Sequence, residues 1–314
     1  MLTHNPDSFI SGDEPFVPTH TIEVTDVTIH QELVFETKHE GFIGIPHGGL
    51  AMGFCLDAWH RTGVGDYPVQ AKYKFGGTGV KIGDDCLFKV ERSHNGEKPH
   101  IVADIIKNGD KKPYVRAEIT PVQVHNEEIH LPAQPTAAYR NLPYYRNCFV
   151  CGHHRDLPGL KRRFRVHEPG EKNITTTPWG NVDEDMDRAA DFLIGKDDLH
   201  PVVLVSIFDE NTAWTGFMNT RSCGLSVRME ITILRPVKRI EPLLFVGWPT
   251  GTRGNPRQPR FFLGGGTILS MIDPMSPEPV AFGHGEWIIW DEYTRQIQSN
   301  LLPEDDWQWI FGDS

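Results

Sequence analysis

Two helix-length segments of this sequence are apolar on every face, and a histidine opens each of them. His47-Gly-Gly-Leu-Ala-Met-Gly-Phe-Cys-Leu-Asp57 begins a run that ends near Gly63, and His200-Pro-Val-Val-Leu-Val-Ser-Ile-Phe-Asp209-Glu210 begins one that ends near Asn219. A surface helix keeps one polar face; a helix that is apolar all round must be buried all round. Strand patterns follow both. Val227, Met229, Ile231 and Ile233 alternate with Arg228, Glu230 and Thr232, and Ala71, Tyr73 and Phe75 alternate with Lys72 and Lys74. That period of two belongs to half-buried strands. Further strand-like segments lie at 87–92, 100–107 and 115–122, with counterparts at 243–248, 260–271 and 279–290. The simplest way to cover such a helix is to wrap a curved antiparallel sheet round it. An ordinary α+β domain with a buried helix fits the periodicity equally well.

The two halves run in register. The histidines are 153 residues apart (200 minus 47), and the segments starting at Val80 and Val237 are 157 apart. Offsets so similar over half the chain indicate a duplicated domain rather than a short-period solenoid, and 314 residues suit two domains. A proline-rich, aperiodic stretch from Val122 to Arg146 separates the halves. The expected division is a first domain over 1–122, a linker over 123–147, a second domain over 148–290 and an acidic aromatic tail over 291–314. Trp307, Trp309 and Phe311 in that tail are expected to pack back on the fold or on a partner subunit.

The formal net charge of −11 argues against a nucleic-acid partner. No apolar stretch approaches the roughly 20 residues that span a bilayer, so no membrane partner is expected. Met1 to Glu14 lacks a basic segment leading into an apolar run, and five cysteines are too few and odd in number for a disulfide framework. The expected location is the cytoplasm.

Several residues carry chemistry. Asp209 and Glu210 interrupt an apolar helix, where a carboxylate is costly unless paired or used. Such an acid can act as general base on water or as a nucleophile. Gly48 and Gly49 at a helix start leave backbone N–H groups open to an oxyanion, or simply let the helix begin close to the sheet. Cys148 and Cys151, with His153 and His154 after them, suggest zinc. A closed zinc site uses four ligands, usually from two spaced pairs, and no second Cys-x-x-Cys is present. A tight turn is the preferred reading, and no metal and no cofactor are expected. Lys161-Arg-Arg-Phe-Arg165 is the densest basic cluster, and strand alternation would place Arg163 and Arg165 on one face. Arg253, Arg257 and Arg260 form a second cluster. Either could hold phosphates, or be a solvated face.

His47-Gly48-Gly49 and the helix it opens resemble the hotdog acyl-CoA thioesterases of the phenylacetyl-CoA-pathway type. Asp209 stands nine residues after His200, that family's spacing for its acid. The string Gly224-Leu-Ser-Val-Arg-Met-Glu-Ile-Thr-Ile-Leu-Arg-Pro236 is similar to the family's strand after the helix. Cys148-Phe-Val-Cys-Gly152 with Gly159-Leu160 is similar to the opening of a subset of these domains. The resemblance covers about 32–122 and 148–290. It implies an α+β fold of two tandem hotdog domains, each a curved antiparallel sheet round a central buried helix. It further implies an acyl-CoA thioesterase in which coenzyme A is part of the substrate and the halves form an internal pseudo-dimer; further homo-oligomerisation is left open. By the same resemblance one composite site combines Gly48 and Gly49 with Asp209 and Ser226 as the catalytic set. His47, Glu210 and Asp57, with Arg163 and Arg165, are expected to bind substrate.

The reverse pairing departs from the family. Pro201 has no N–H to donate, Leu56 stands nine residues after His47, and Val69 stands opposite Ser226 in register. Asp57 is one residue, about 100°, further round the helix. Two other readings stay open: a hotdog acyl-CoA hydratase or dehydratase, and a non-catalytic acyl-CoA-binding protein.

Overall fold

The computed structural model describes residues 8–10, 16–25, 27–63, 66–77, 79–95, 98–125, 138–167, 173–180, 191–255, 257–303 and 308–311. Residues 126–137 of the expected linker, most of the N-terminal stretch and Trp307 lie outside them.

Among the described residues, thirteen strands form one antiparallel sheet. The first half contributes β1 (Thr19–Val24), β2 (Thr28–Val34), β3 (Val69–Phe75), β4 (Asp85–Asn95), β5 (Lys98–Lys107) and β6 (Val115–Pro121). The second contributes β7 (Tyr139–Asn141), β8 (Arg165–His167), β9 (Ile174–Trp179), β10 (Gly224–Ile233), β11 (Leu243–Asn255), β12 (Gln258–Ser270) and β13 (Glu278–Ile289). Their order across the sheet is β1-β2-β4-β5-β6-β3-β10-β13-β12-β11-β9-β8-β7. Helix α1 (Gly48–Arg61) lies between β2 and β3 in the chain, and α2 (Pro201–Thr220) between β9 and β10. Around each helix, one strand before it and four after it form a set whose spatial order β2-β4-β5-β6-β3 repeats as β9-β11-β12-β13-β10, with β1 outside the first set and β7 and β8 outside the second. The architecture is hotdog-like, as the resemblance implied. The halves join where β3 pairs with β10, from Lys74 opposite Arg228 to Val69 opposite Ile233, and where α1 packs on α2.

Burial explains the composition of the helices. Every residue from Gly49 to Trp59 is buried, and so is every residue from Pro201 to Phe217 except half-buried Glu210. Each large apolar side chain taken from water contributes about 1.5–3 kcal/mol, so these helices supply much of the core. Their contact is close because two glycines one turn apart allow it. A Cβ on Gly49 would lie 2.3 Å from the Ser206 Cα, and one on Gly53 2.7 Å from the Val202 Cα. Residues i and i+4 share a helix face, so this face of α1 is backbone pressed against α2.

The division of the chain differs from the expected one at the linker. Tyr139–Asn141 pairs with β8 at the sheet edge, so residues expected in the linker belong to the second half. The described part of the tail packs back on the fold, as expected of it. Helix α3 (Asp291–Gln298) buries Tyr293 and Ile297, and Leu301–Leu302 pairs with Tyr144–Tyr145. The short α4 (Gln308–Phe311) packs on α2, with Ile310 buried and Arg140 stacked over the Trp309 ring.

Candidate active site

A cavity of about 800 Å³ opens at the start of α1, between the halves. Its wall is mainly apolar and aromatic, with Phe42, Phe75, Trp214, Phe261 and Trp287 among the lining residues. Its polar residues include His47, Gly48, Cys148, Asp209, Glu210 and Ser226, supplied by the α1 start, the Cys-x-x-Cys turn, α2 and β10.

The structure brings Gly48, Asp209 and Ser226 together. Ser226 Oγ donates to Asp209 Oδ1 at 3.0 Å. A Cβ on Gly48 would meet Asp209 Oδ2 at 3.1 Å and Ser226 Oγ at 3.5 Å. Only a residue without a side chain leaves space there. Burial pushes the Asp209 carboxyl above the usual carboxylate range, opposed by His47, by the Ser226 hydrogen bond and by the Gly49 amide. An acid so placed holds its proton into a higher pH range and is a strong base once ionised.

Gly49, expected beside Gly48 as a donor to substrate, has another task. It does not line the cavity, its amide donates to His47 Nδ1 at 3.0 Å, and its side-chain direction faces Ser206. The reason is geometric: one step of about 100° carries it from the cavity face to the α2 face.

His47 and His200 are both helix N-caps, each accepting an amide on Nδ1: Gly49 N at 3.0 Å and Val202 N at 3.0 Å. Serine, threonine, aspartate and asparagine are the usual caps, so nothing in the composition announced this role. Each histidine then turns Nε2 to a carboxylate on the other helix. His47 Nε2 lies 3.4 Å from Glu210 Oε2, and His200 Nε2 lies 3.1 Å from Asp57 Oδ1. Asp57 thus matches Glu210, each ten residues after its own helix cap, and the counterpart of Asp209 is Leu56. Asp57 is buried, accepts a second hydrogen bond from Ser8 Oγ at 3.0 Å, and does not line the cavity; the expectation that it binds substrate is corrected.

The pseudo-equivalent place at the α2 start holds a smaller cavity of about 330 Å³. Pro201 and Val237 line it where Gly48 and Val80 line the larger one, and neither Asp57 nor His200 reaches it.

Arg163 and Arg165 do not line the cavity either. Arg163 is exposed, and Arg165 stacks on Tyr139 at the far edge of the sheet. The alternation read from the cluster is present, since Arg162 and Phe164 are buried, but it faces away from the site. The second cluster is nearer. The guanidinium groups of Arg253 and Arg260 lie 4.0 and 5.5 Å from the centre of the Phe261 ring, which lines the cavity, and Arg253 is paired with Glu286. Sequence reasoning also missed Tyr145, Tyr293, Ile297 and Leu301 as cavity walls. They lie on the assumed linker and tail, where no period of two marked them.

Cys148 and Cys151 form the turn expected of them, and both line the cavity. Burial and Glu210 raise the Cys148 thiol, but hydrogen bonds with Cys151 and His47 outweigh them and lower it to about 7. Burial opposes charge on His47, but Cys148 and Glu210 outweigh it and push its pKa up to about 10; the cap works against that charge, because Nδ1 accepts the Gly49 amide. The cap keeps Nδ1 without a proton, so that proton belongs to Nε2. Among the described residues, His47, Cys148 and Glu210 bring donor atoms within 4.8 Å of one another. A metal on His47 Nε2 would require a proton on Nδ1, as metal-ligating histidines usually donate from their second nitrogen. Here Nδ1 accepts the Gly49 amide, so the donor set does not suit a metal while the cap stands. His153 and His154 stack on Tyr144 and take no part.

No protein-family model matches the sequence, and no curated protein matches it. Solved structures do match the fold. Acyl-CoA thioesterase II TesB2 from Mycobacterium marinum is 15% identical, with 87% of this chain and 95% of that one covered at a TM-score of 0.52. A TesB protein of Mycobacterium avium subspecies paratuberculosis is 13% identical, with 86% and 96% covered at 0.52. A bifunctional dehydratase-cyclase domain in ambruticin biosynthesis is 11% identical, with 90% and 99% covered at 0.52. The likeness to hotdog thioesterases expected from the two helix motifs is therefore present in three dimensions, with structures of the TesB type. At these identities it speaks for the fold.

Proposed function

We propose that the chain is two tandem hotdog units and that it hydrolyses an acyl-CoA thioester at a single composite site between them. The observation that carries this reading is the approach of Gly48, at the N-terminus of one buried helix, to Asp209 and Ser226 of the other half, inside a large apolar cavity. The acyl group lies among the aromatic walls. The thioester carbonyl oxygen takes the Gly48 N–H and the positive end of the α1 dipole, which stabilise the charge that develops on it. Asp209, held by Ser226, removes the proton from a water that attacks the carbonyl carbon. The C–S bond then breaks and the coenzyme thiolate leaves.

A hydratase or dehydratase would need a histidine free to exchange protons with substrate. Both nitrogens of His47 are engaged, one by the cap and one by Glu210, so hydrolysis is preferred. The test is a panel of straight-chain and aromatic acyl-CoAs, read by thiol release and separately by double-bond hydration. Thiol release above the spontaneous rate supports the reading; hydration without thiol release sinks it.

The phosphates are assigned to the Arg260 side of the cavity instead of Arg163 and Arg165. Charge-assisted contacts to phosphate are worth about 1.5–3 kcal/mol, so Arg260→Glu should raise KM for acyl-CoA by about tenfold or more. The same change should leave KM for the corresponding N-acetylcysteamine thioester, which has no phosphates, nearly unaltered. Equal effects on both substrates would place the phosphates elsewhere.

A pH effect follows from the Asp209 environment. Activity should rise as Asp209 ionises, with a midpoint above the ordinary carboxylate range. Ser226→Ala removes a hydrogen bond that favours the ionised form, so the midpoint should move further up. A downward or absent shift in the pH profile of kcat would show that Asp209 is not the group that titrates.

A further inference from the structure

Cys148 enters none of the steps above, yet it lines the same cavity. Its sulfur accepts the Val150 amide at 3.3 Å and the Cys151 amide at 3.4 Å. As a thiol it donates to Glu210 Oε2 at 3.4 Å, a neighbour that opposes charge on the sulfur, and hydrogen bonds with His47 and the Cys151 thiol outweigh that opposition. Backbone amides, a thiol and an imidazole N–H converging on one sulfur favour thiolate, the nucleophilic form. Buried cysteines without such donors behave in the opposite way: burial pushes the Cys55 and Cys223 thiols well up. His47 connects the two ends of the site, since it caps the helix that begins with Gly48 and hydrogen-bonds Cys148.

We propose that Cys148 is a second nucleophile of this cavity, which exchanges with a bound thioester and carries the acyl group as S-acyl-Cys148. The proposal rests on the thioester reading of the site. The Cys148 thiolate adds to the carbonyl carbon, forming the Sγ–C bond, and the substrate C–S bond breaks as its thiolate departs. One thiolate replaces another and one thioester replaces another, so the step needs no oxidant, reductant or further reactant. The acyl-cysteine then lies in the cavity that holds Asp209, where water can remove the acyl group or a second thiol can accept it.

The experiment uses the full chain with Asp209→Asn, which blocks water attack, mixed with octanoyl-CoA or octanoyl-N-acetylcysteamine and quenched in acid. Intact mass should show one octanoyl group per chain, mapped to Cys148 and removed by neutral hydroxylamine, and Cys148→Ser should not acquire it. No adduct, or an adduct on another residue, overturns the proposal. If Cys148→Ser does not fold, alkylation of the wild-type chain decides. Iodoacetamide should modify Cys148 ahead of the other four cysteines, with a rate midpoint near pH 7; a rate no greater than that of Cys55 or Cys223 overturns it. Failure of this inference is separable from failure of the thioesterase reading. Acyl-CoA hydrolysis by the wild type with no Cys148 adduct in the Asp209→Asn variant removes the exchange step alone. An adduct from octanoyl-N-acetylcysteamine with no hydrolysis of any acyl-CoA supports exchange and removes the hydrolase.

Discussion

Asp209→Asn should abolish thioester hydrolysis while the protein folds and binds substrate. General-base assistance is worth about 10²–10⁴ in rate, and asparagine keeps the volume of the residue and its bond with Ser226 while losing the base. The change should raise the melting temperature at neutral pH. Burial raises the folded-state pKa of this acid, so ionising it opposes folding. The stability present below the unfolded-state pKa is lost as pH rises through the folded one. The amide removes that loss, so the variant should gain over wild type at pH 7–8 and not at pH 4. Activity lost together with stability would indicate a structural acid. Gly48→Pro probes the other half of the site by a different physical route. Proline is tolerated at the first helical position, as Pro201 shows at the equivalent place on α2, so α1 should form. The oxyanion loses its N–H and the proline Cβ crowds Asp209 and Ser226, so kcat should fall by at least about 10²–10³. Circular dichroism and kcat measured on both variants check the pair of effects.

The buried helices and the strands were legible because burial on all faces and alternation leave marks at fixed periods. Asp209 was marked by its place in an apolar helix and Gly48 by its place at a helix start, whereas Ser226 was reached only through a resembling family, and the geometry brings the three within contact of one another. Contacts made across the pseudo-two-fold were not legible. Asp57 looked like a displaced acid because it lies one position past Leu56, and only the arrangement of the two helices reveals that it faces His200. The same 100° step separates Gly48 from Gly49, so a dipeptide that reads as one motif serves the cavity with one residue and helix packing with the other. Arg163 and Arg165 were drawn in by charge density, which carries no information about which edge of a sheet lies near a cavity. Tyr293 and Ile297 escaped notice because a helix of eight residues beyond the last strand has too few turns to show what its apolar face covers.

The matched pairs His47–Glu210 and His200–Asp57 predict opposite consequences for equivalent substitutions. His200 is fully buried and Asp57 is 1% exposed, whereas Glu210 borders the cavity. His200 Nδ1 accepts the Val202 amide, so its Nε2 carries the proton donated to Asp57. Removing Asp57 leaves the buried Nε2–H of His200 without this acceptor, at a cost of about 1–3 kcal/mol. Asp57→Ala should therefore lower stability by about that amount in urea unfolding. Glu210→Ala, with cavity solvent able to replace the lost acceptor, should cost less. Asp57→Asn keeps an acceptor oxygen for both His200 and Ser8, should lose less than alanine, and should retain most of the hydrolysis rate wherever it is folded. Asp57→Asn that folds with unchanged stability and no turnover would move the working acid from α2 to α1. Short of that result, the asymmetry between the cavities has a physical origin in three positions. Proline, leucine and valine stand at the α2 start, in α1 and on β3, where the larger cavity has glycine, aspartate and serine. Where that polar set is missing the His–carboxylate pair is still present, and there it joins the two helices in the core.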